Sequence, residues 1–341
     1  MGEIKLGNSS ISYVYLGNSP VSEMYLGADK IYPVGGVALP YKYWLGPNAG
    51  STSLVKYSSN FGPVTLTINE LNGATENVAM SNNGQYIFIA PTNNTSPGSY
   101  IRVSSDGGVT FNNSTYRNTF RSICCSTSGQ YVLACSPTTF NWSYIAVSSD
   151  YGASFSPKIT VYSSGIAMSK SGQFQFAAAY ANGTISQYST DYGATWTNTS
   201  VTFGNNNNRV RMSGDGKYVY MWQMGTINTY WSENYGANFE LRSISANPVR
   251  MLCVSEDGKY VYIAPQSNIY PLMKSDDYGV TFSNTTGYGP VSVYGVNCSF
   301  DGKYVWMYVG TSNNVLISDD YGVTWTTETF GPYSVFSVMS R

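Results

Sequence analysis

The chain has 341 residues, only 11% of them charged, with a formal net charge of −1 and no histidine. Without a basic excess there is nothing to neutralise a phosphate backbone, which excludes ordinary nucleic-acid binding, and the missing histidine removes the commonest general base and transition-metal ligand. No apolar run of about 18 residues occurs and no charged-then-apolar leader opens the chain, so neither membrane insertion nor classical secretion is expected.

Abundant Tyr, Gly, Ser, Asn and Thr favour short strands joined by polar turns. In residues 1–34, Leu6-Gly7, Leu16-Gly17 and Leu26-Gly27 recur ten apart, each followed by Ile11, Val21 or Ile31. This spacing predicts short strands with glycine turns, and so small a segment cannot bury a core alone. The pattern Ile11-Ser12-Tyr13-Val14-Tyr15-Leu16-Gly17, echoed by Val21-Ser22-Glu23-Met24-Tyr25-Leu26-Gly27, resembles an N-terminal module of tailed-bacteriophage structural proteins. The plainer reading is a β-hairpin decorating the larger domain. Residues 35–40 have linker character, and the domain boundary is placed there.

From Tyr41 onward a unit of about 43 residues repeats, as four-stranded blades of a propeller do. Its marker is an octet such as Ser318-Asp319-Asp320-Tyr321-Gly322-Val323-Thr324-Trp325, with relatives at 104–111, 148–155, 189–196, 232–239 and 275–282 and a worn copy from Ser58. Asp106, Asp150, Asp191, Asn234, Asp277 and Asp320 are placed to accept backbone N–H groups, and the glycine two residues on tolerates positive φ. The aromatic at the end of each octet supplies bulk between sheets. A second marker, Gly84-Gln85-Tyr86 through Gly302-Lys303-Tyr304, sits between octets and joins the first two strands of each unit. The octet resembles the Asp-box, S-x-D-x-G-x-T-W, of sialidase-like β-propellers. Fold expectation follows: an all-β, seven-bladed propeller over 41–341, closed where the strand at 336–340 pairs innermost beside 42–47, with the module of 1–34 in front.

In such a propeller both marker turns share one face, away from the face that binds. Of eleven aspartates, seven lie in octets, three (Asp215, Asp257, Asp301) precede Gly-Lys turns, and Asp29 is N-terminal. The acids left for the opposite face are Glu70, Glu76, Glu240 and Glu328, on separate connections; a glycosidase needs a matched pair, or the sialidase set of Tyr, Glu, acid and arginines. The Arg-Ile-Pro signature of sialidases is missing. Catalytic residues are therefore not assigned. Arg121, Arg209, Arg211 and Arg250 fall at or near the start of innermost strands, where they either line the mouth of a central channel or bond to carbonyls and scattered glutamates. Loops carrying Phe140, Trp142, Phe203 and Tyr288 combine rings with amides and hydroxyls, a combination suited to sugars or to protein contacts.

No metal or cofactor is expected, because one carboxylate of Asp276-Asp277 and of Asp319-Asp320 already serves its turn and an oxygen cage for calcium needs about six to eight ligands. Cys124, Cys125, Cys135, Cys253 and Cys298 are odd in number and mostly within apolar strands, which suits buried thiols better than disulfides. The phage resemblance implies a virion component anchored to other virion proteins through residues 1–34, a homotrimer by analogy with fibres, whose propeller meets host-surface glycan or neighbouring virion proteins. The competing expectations are a sialidase-like glycoside hydrolase and a free lectin.

Overall fold

The computed structural model describes residues 75–91, 99–118, 120–136, 144–159, 161, 163–180, 184–202, 208–243, 248–266, 271–288, 291–309 and 314–329, together with the backbone of seven short strands upstream. The chain divides into two compact units, Met1–Pro40 and Tyr41–Arg341. Within the first, Tyr15–Leu16 pairs with Ser19–Pro20 and Met24–Leu26 with Asp29–Tyr32, each antiparallel. No described helix is long and apolar enough to cross a membrane.

The second unit contains six four-stranded antiparallel sheets, each made of consecutive strands in sequence order. They occupy 75–118, 122–159, 163–202, 208–243, 249–284 and 293–329, called sheets 1 to 6 below. A three-stranded sheet, Tyr43–Leu45, Ser53–Ser58 and Leu66–Leu71, precedes them. The closing strand expected at 336–340 lies outside the described residues, as do the loops of Phe140, Trp142 and Phe203.

The core lies between sheets. Second strands such as Val132–Cys135, Gln175–Ala179 and Val261–Pro265 are buried along their whole length, as strands covered on both faces must be. Their side chains alternate into two neighbouring cores. Phe88, Ala90 and Ile101 of sheet 1 pack with Val132, Ala134 and Phe155 of sheet 2, while Leu133, Cys135 and Val147 of sheet 2 pack with Ile166 and Ala177 of sheet 3. Comparable clusters join sheets 3 to 4, 4 to 5 and 5 to 6.

The first strands, Thr75–Met80, Ser122–Cys125, Ser163–Met168, Asn208–Met212, Val249–Val254 and Val293–Cys298, adjoin one another in succession. One residue past the serine that follows each, a chain of backbone hydrogen bonds runs from sheet to sheet. Asn82 N–H donates to Thr127 (2.8 Å), Thr127 to Lys170 (2.8 Å), Lys170 to Gly214 (2.8 Å), Gly214 to Glu256 (2.6 Å) and Glu256 to Phe300 (2.6 Å). Unlike side-chain contacts, these bonds work for any residue, which is how positions as different as Gly214 and Phe300 hold the same place.

The octets fold as one motif. In sheet 2, Ser148 Oγ donates to Asp150 Oδ1 (2.8 Å) and accepts Gly152 N–H (2.9 Å), while Asp150 accepts the backbone N–H (2.9 Å) and hydroxyl of Ser154. The same bonds recur around Asp106, Asp191, Asp277 and Asp320. The side chain of Thr110, then its backbone N–H, holds Asp106 down to about 2, and Thr195 likewise lowers Asp191. At Asp150, Asp277 and Asp320 desolvation opposes the shift, but the hydroxyl and amide donors outweigh it. A carboxyl lowered in the folded state stabilises fully above its unfolded value of about 3.9 and loses that contribution as pH falls through the folded value. Denaturation midpoints at fixed urea are therefore expected to hold down to about pH 4 and fall between there and about pH 2. Asp150→Asn should flatten that fall, since Asn234 keeps the octet bonds with an amide that does not titrate.

Candidate functional site: the central channel

The two marker turns meet on one face. Tyr151 N–H donates to the Gln130 carbonyl of the same sheet (3.0 Å), and equivalent bonds tie Tyr192 to Gln173, Tyr235 to Lys217, Tyr278 to Lys259 and Tyr321 to Lys303. The octet tyrosine also reaches sideways. Tyr151, Tyr192, Tyr235, Tyr278 and Tyr321 adopt φ between 60° and 63°, a left-handed conformation costly for a side-chain-bearing residue. In return each ring lies against the Gly-x-aromatic turn of the preceding sheet: Tyr86–Tyr151 at 4.6 Å, Tyr131–Tyr192 at 4.7 Å, Phe174–Tyr235 at 4.1 Å, Tyr218–Tyr278 at 4.9 Å and Tyr260–Tyr321 at 4.8 Å. Each pair contributes about 0.5–1.5 kcal/mol beyond its buried area, which offsets much of the strain.

Residues from all six sheets surround one cavity of ≈ 270 Å³ on the axis. Its wall carries the last residue of each first strand, Met80, Cys125, Met168, Met212, Val254 and Cys298, a collar with sulfur at five of six positions. Beyond it, the hydrogen-bonded row places Lys170 and Glu256 in an ion pair across Gly214. A Cβ on Gly214 would stand 3.0 Å from both Glu256 Cδ and Lys170 Cδ, so a larger residue there would push these two side chains aside. Asp215, Asp257 and Asp301 join Lys170, Glu256 and Phe300 around the adjoining depression at the turn-side mouth.

That placement modifies the sequence expectation, in which every turn carboxylate lay clear of any site. The Gly-Lys turns follow the innermost strands and so end beside the axis. Their acids are nevertheless engaged: Asp215 Oδ1 accepts Ser213 Oγ (2.6 Å) and Lys217 N–H (2.9 Å), and Asp257 and Asp301 repeat the pattern. Among the described residues no group of three or more His, Cys, Asp or Glu side chains is arranged to hold a metal.

The four arginines differ in their surroundings. Arg121 lays its guanidinium over Tyr180, 4.9 Å from the ring centroid, and the Arg250 carbonyl accepts Trp222 Nε1–H (3.3 Å). Arg209 sits within the field of the Cys135 thiol, as does Arg121. Arg211 lies within the field of the thiols of Cys253, Cys124 and Cys298, from sheets 5, 2 and 6, and burial lowers its pKa. All five cysteines are free thiols, and burial pushes Cys125 up to about 12 and Cys135 up to about 11.

Tyr288 does not stand out as a contact ring. Its hydroxyl accepts the Leu272 N–H and lies 3.2 Å from Thr285 Oγ1, and its ring meets Trp325 edge-on at 5.4 Å. The short connection folds it back onto the core between sheets 5 and 6. Glu240 is exposed, with Arg242 3.6 Å away; the side chains of Glu70, Glu76 and Glu328 lie outside the described residues.

No family model matches the chain, and no curated protein matches it. Among solved structures, a functionally unknown protein from Desulfotomaculum acetoxidans DSM 771 superposes with a TM-score of 0.68 at 11% identity, covering 88% of this chain and 99% of that one. The fold is a β-propeller. YCF48 bound to a D1 peptide shares it, with a TM-score of 0.53 at 14% identity over 86% of this chain and 96% of that one. So does an ancestral GH74 enzyme, with 0.58 at 13% identity over 84% of this chain and 40% of that one. The propeller chain spans about half, 53%, of a GH74 enzyme from Niastella koreensis. Likeness at these identities is one of fold, and the six sheets are its described blades.

Proposed function

We propose that this propeller is a non-enzymatic structural component of a bacteriophage virion, a fibre, appendage or decoration protein of capsid or tail, that displays a binding face toward host-surface glycan or other virion proteins. The observation that carries the non-catalytic part is how the described turn carboxylates are spent. Asp106, Asp150, Asp191, Asp277 and Asp320 each hold an octet, Asp215, Asp257 and Asp301 each hold an inner turn, and Glu256 pairs with Lys170. General acid–base work needs a carboxyl poised near neutral pH, whereas the octet acids are held low. The virion part is supported by the ten-residue repeat of residues 1–34, which acts as the anchor.

Deleting residues 1–34 tests the anchor. The full chain is expected to co-sediment with assembled particles and the truncated chain to stay in the soluble fraction; equal incorporation of both overturns the reading. The enzyme alternative is addressed by assaying labelled sialosides with Glu70→Gln, Glu76→Gln, Glu240→Gln and Glu328→Gln. No turnover is expected from the unmodified protein, and turnover abolished by any one of these changes would replace binding with catalysis.

A further inference from the structure

We propose that the axial cavity binds a soft monovalent metal cation, copper(I), through the sulfur atoms of its collar. This rests on the cavity's own chemistry and holds whether or not the protein belongs to a virion. Met80, Cys125, Met168, Met212 and Cys298 come from five different sheets, yet each stands directly before the serine that follows a first strand, and all five line the same cavity. Sheet 5 has Val254 there. In the sequence the pattern extends to Met339, directly before Ser340, which lies outside the described residues. With only 11 methionines and 5 cysteines in 341 residues, sulfur at six of these seven places is not a matter of composition. Nor does packing explain it. Two residues earlier on the same strands every sheet uses a buried branched aliphatic, Val78, Ile123, Ile166, Val210, Leu252 and Val296, and the change to sulfur comes only where the side chains border open space.

The collar lies two residues from the row of backbone hydrogen bonds through Asn82, Thr127, Lys170, Gly214, Glu256 and Phe300. Strands joined by such bonds stand roughly 5 Å apart, so a ring of six or seven of them is roughly 5–6 Å in radius. Methionine is unbranched and flexible, and across so short a radius sulfurs from separate sheets are within reach of one another inside the ≈ 270 Å³ cavity. Thioether and thiolate are the donors that select copper(I) over hard cations. The chain has no imidazole to offer, and among the described residues no group of three or more Cys, Asp or Glu is arranged to hold a metal, so thioether sulfur is the majority donor. One thiol, of Cys125 or Cys298, ligates as thiolate and balances the single charge, its proton passing to solvent. The turn-side mouth suits a cation as well. Asp215, Asp257, Asp301 and Glu256 line it against one ammonium, that of Lys170, while the lysines of the same turns, Lys217, Lys259 and Lys303, lie over the rings of Tyr218, Tyr260 and Tyr304. An acidic mouth raises the local concentration of cations. The guanidinium of Arg211 is not part of the cavity lining.

The test is titration of the reduced full chain with copper(I), kept under nitrogen with ascorbate and with bicinchoninate as competing chelator, and with silver(I) nitrate in chloride-free buffer as a redox-inert probe. Each metal is expected to saturate at one ion per chain, with X-ray absorption showing sulfur as the only ligand to copper, and zinc(II) is expected not to compete. Met168→Leu combined with Met212→Leu keeps the side-chain volume nearly constant and removes two donors, so affinity for both probes should fall about tenfold or more. Met273→Leu, on a third strand and outside the cavity lining, should bind as the unmodified protein does. Should the double variant fail to fold, the two single variants decide, each expected to weaken binding about threefold or more. Binding that is unchanged in the methionine variants overturns the proposal, since the metal then sits on thiols outside the collar, such as Cys124, Cys135 or Cys253. So does nitrogen or oxygen in the coordination shell, or an unmodified protein that takes no copper(I) from the chelator, in which case the sulfurs only pack.

Discussion

Gly172→Ala is expected to destabilise the propeller by about 2–4 kcal/mol, combining the cost of left-handed backbone with that of overpacking. Gly172 sits at φ +84°, and a Cβ built there would stand 2.6 Å from Tyr131 Cδ2 and 2.8 Å from both Cβ and Cγ of that ring. The near end of Tyr131 cannot swing away freely, because its ring lies tilted against Tyr192 at 4.7 Å. The ring would have to leave that contact, so the substitution breaks a sheet-to-sheet contact as well as a turn. Gly107→Ala provides the control. It has φ +74° but meets only the Gly84 carbonyl at 3.6 Å, so strain alone acts and the loss should stay near 1 kcal/mol. Urea midpoints for the two variants separate steric from conformational cost; equal losses would mean that the aromatic contact carries no weight.

The same geometry explains what the sequence made legible. Repeated glycines, serines and aspartates with fixed offsets each have one backbone task, and the octet hydrogen bonds follow from residue type. The tyrosine inside the octet was not read as functional in the fold, although its signal is present. Every octet whose preceding unit has a Gly-x-aromatic turn carries a tyrosine, at 151, 192, 235, 278 and 321, while the first carries Gly107, and the three-stranded sheet before it has no such turn. The partnership spans some sixty residues and two repeats, a distance at which periodicity within one unit says nothing. Arg211 was legible only as an arginine on an innermost strand; that Cys124, Cys253 and Cys298 converge on it requires the ring, since they come from sheets 2, 5 and 6. The row of bonds through Asn82, Thr127, Lys170, Gly214, Glu256 and Phe300 left no trace in side-chain type, because backbone groups make it.

Trp222→Ala should cost about 3–5 kcal/mol, the range for removing a large buried ring that its surroundings cannot refill. Trp222 is 1% exposed and packs with Tyr220, Val249, Leu252 and Ile263 between sheets 4 and 5. Its Nε1–H donates to the Arg250 carbonyl on the first strand of the next sheet (3.3 Å), so the side chain both fills the gap and aligns the neighbour. Trp222→Phe keeps most of the volume and gives up that bond, for an expected loss of about 1–2 kcal/mol. Because each core lies between two sheets, the damage should be local: amide exchange is expected to quicken in 208–243 and 249–284 while 75–118 and 122–159 stay protected. Uniform loss of protection across all six sheets would instead show that the ring unfolds as one unit, with its stability set by closure around the axis and not by the individual cores.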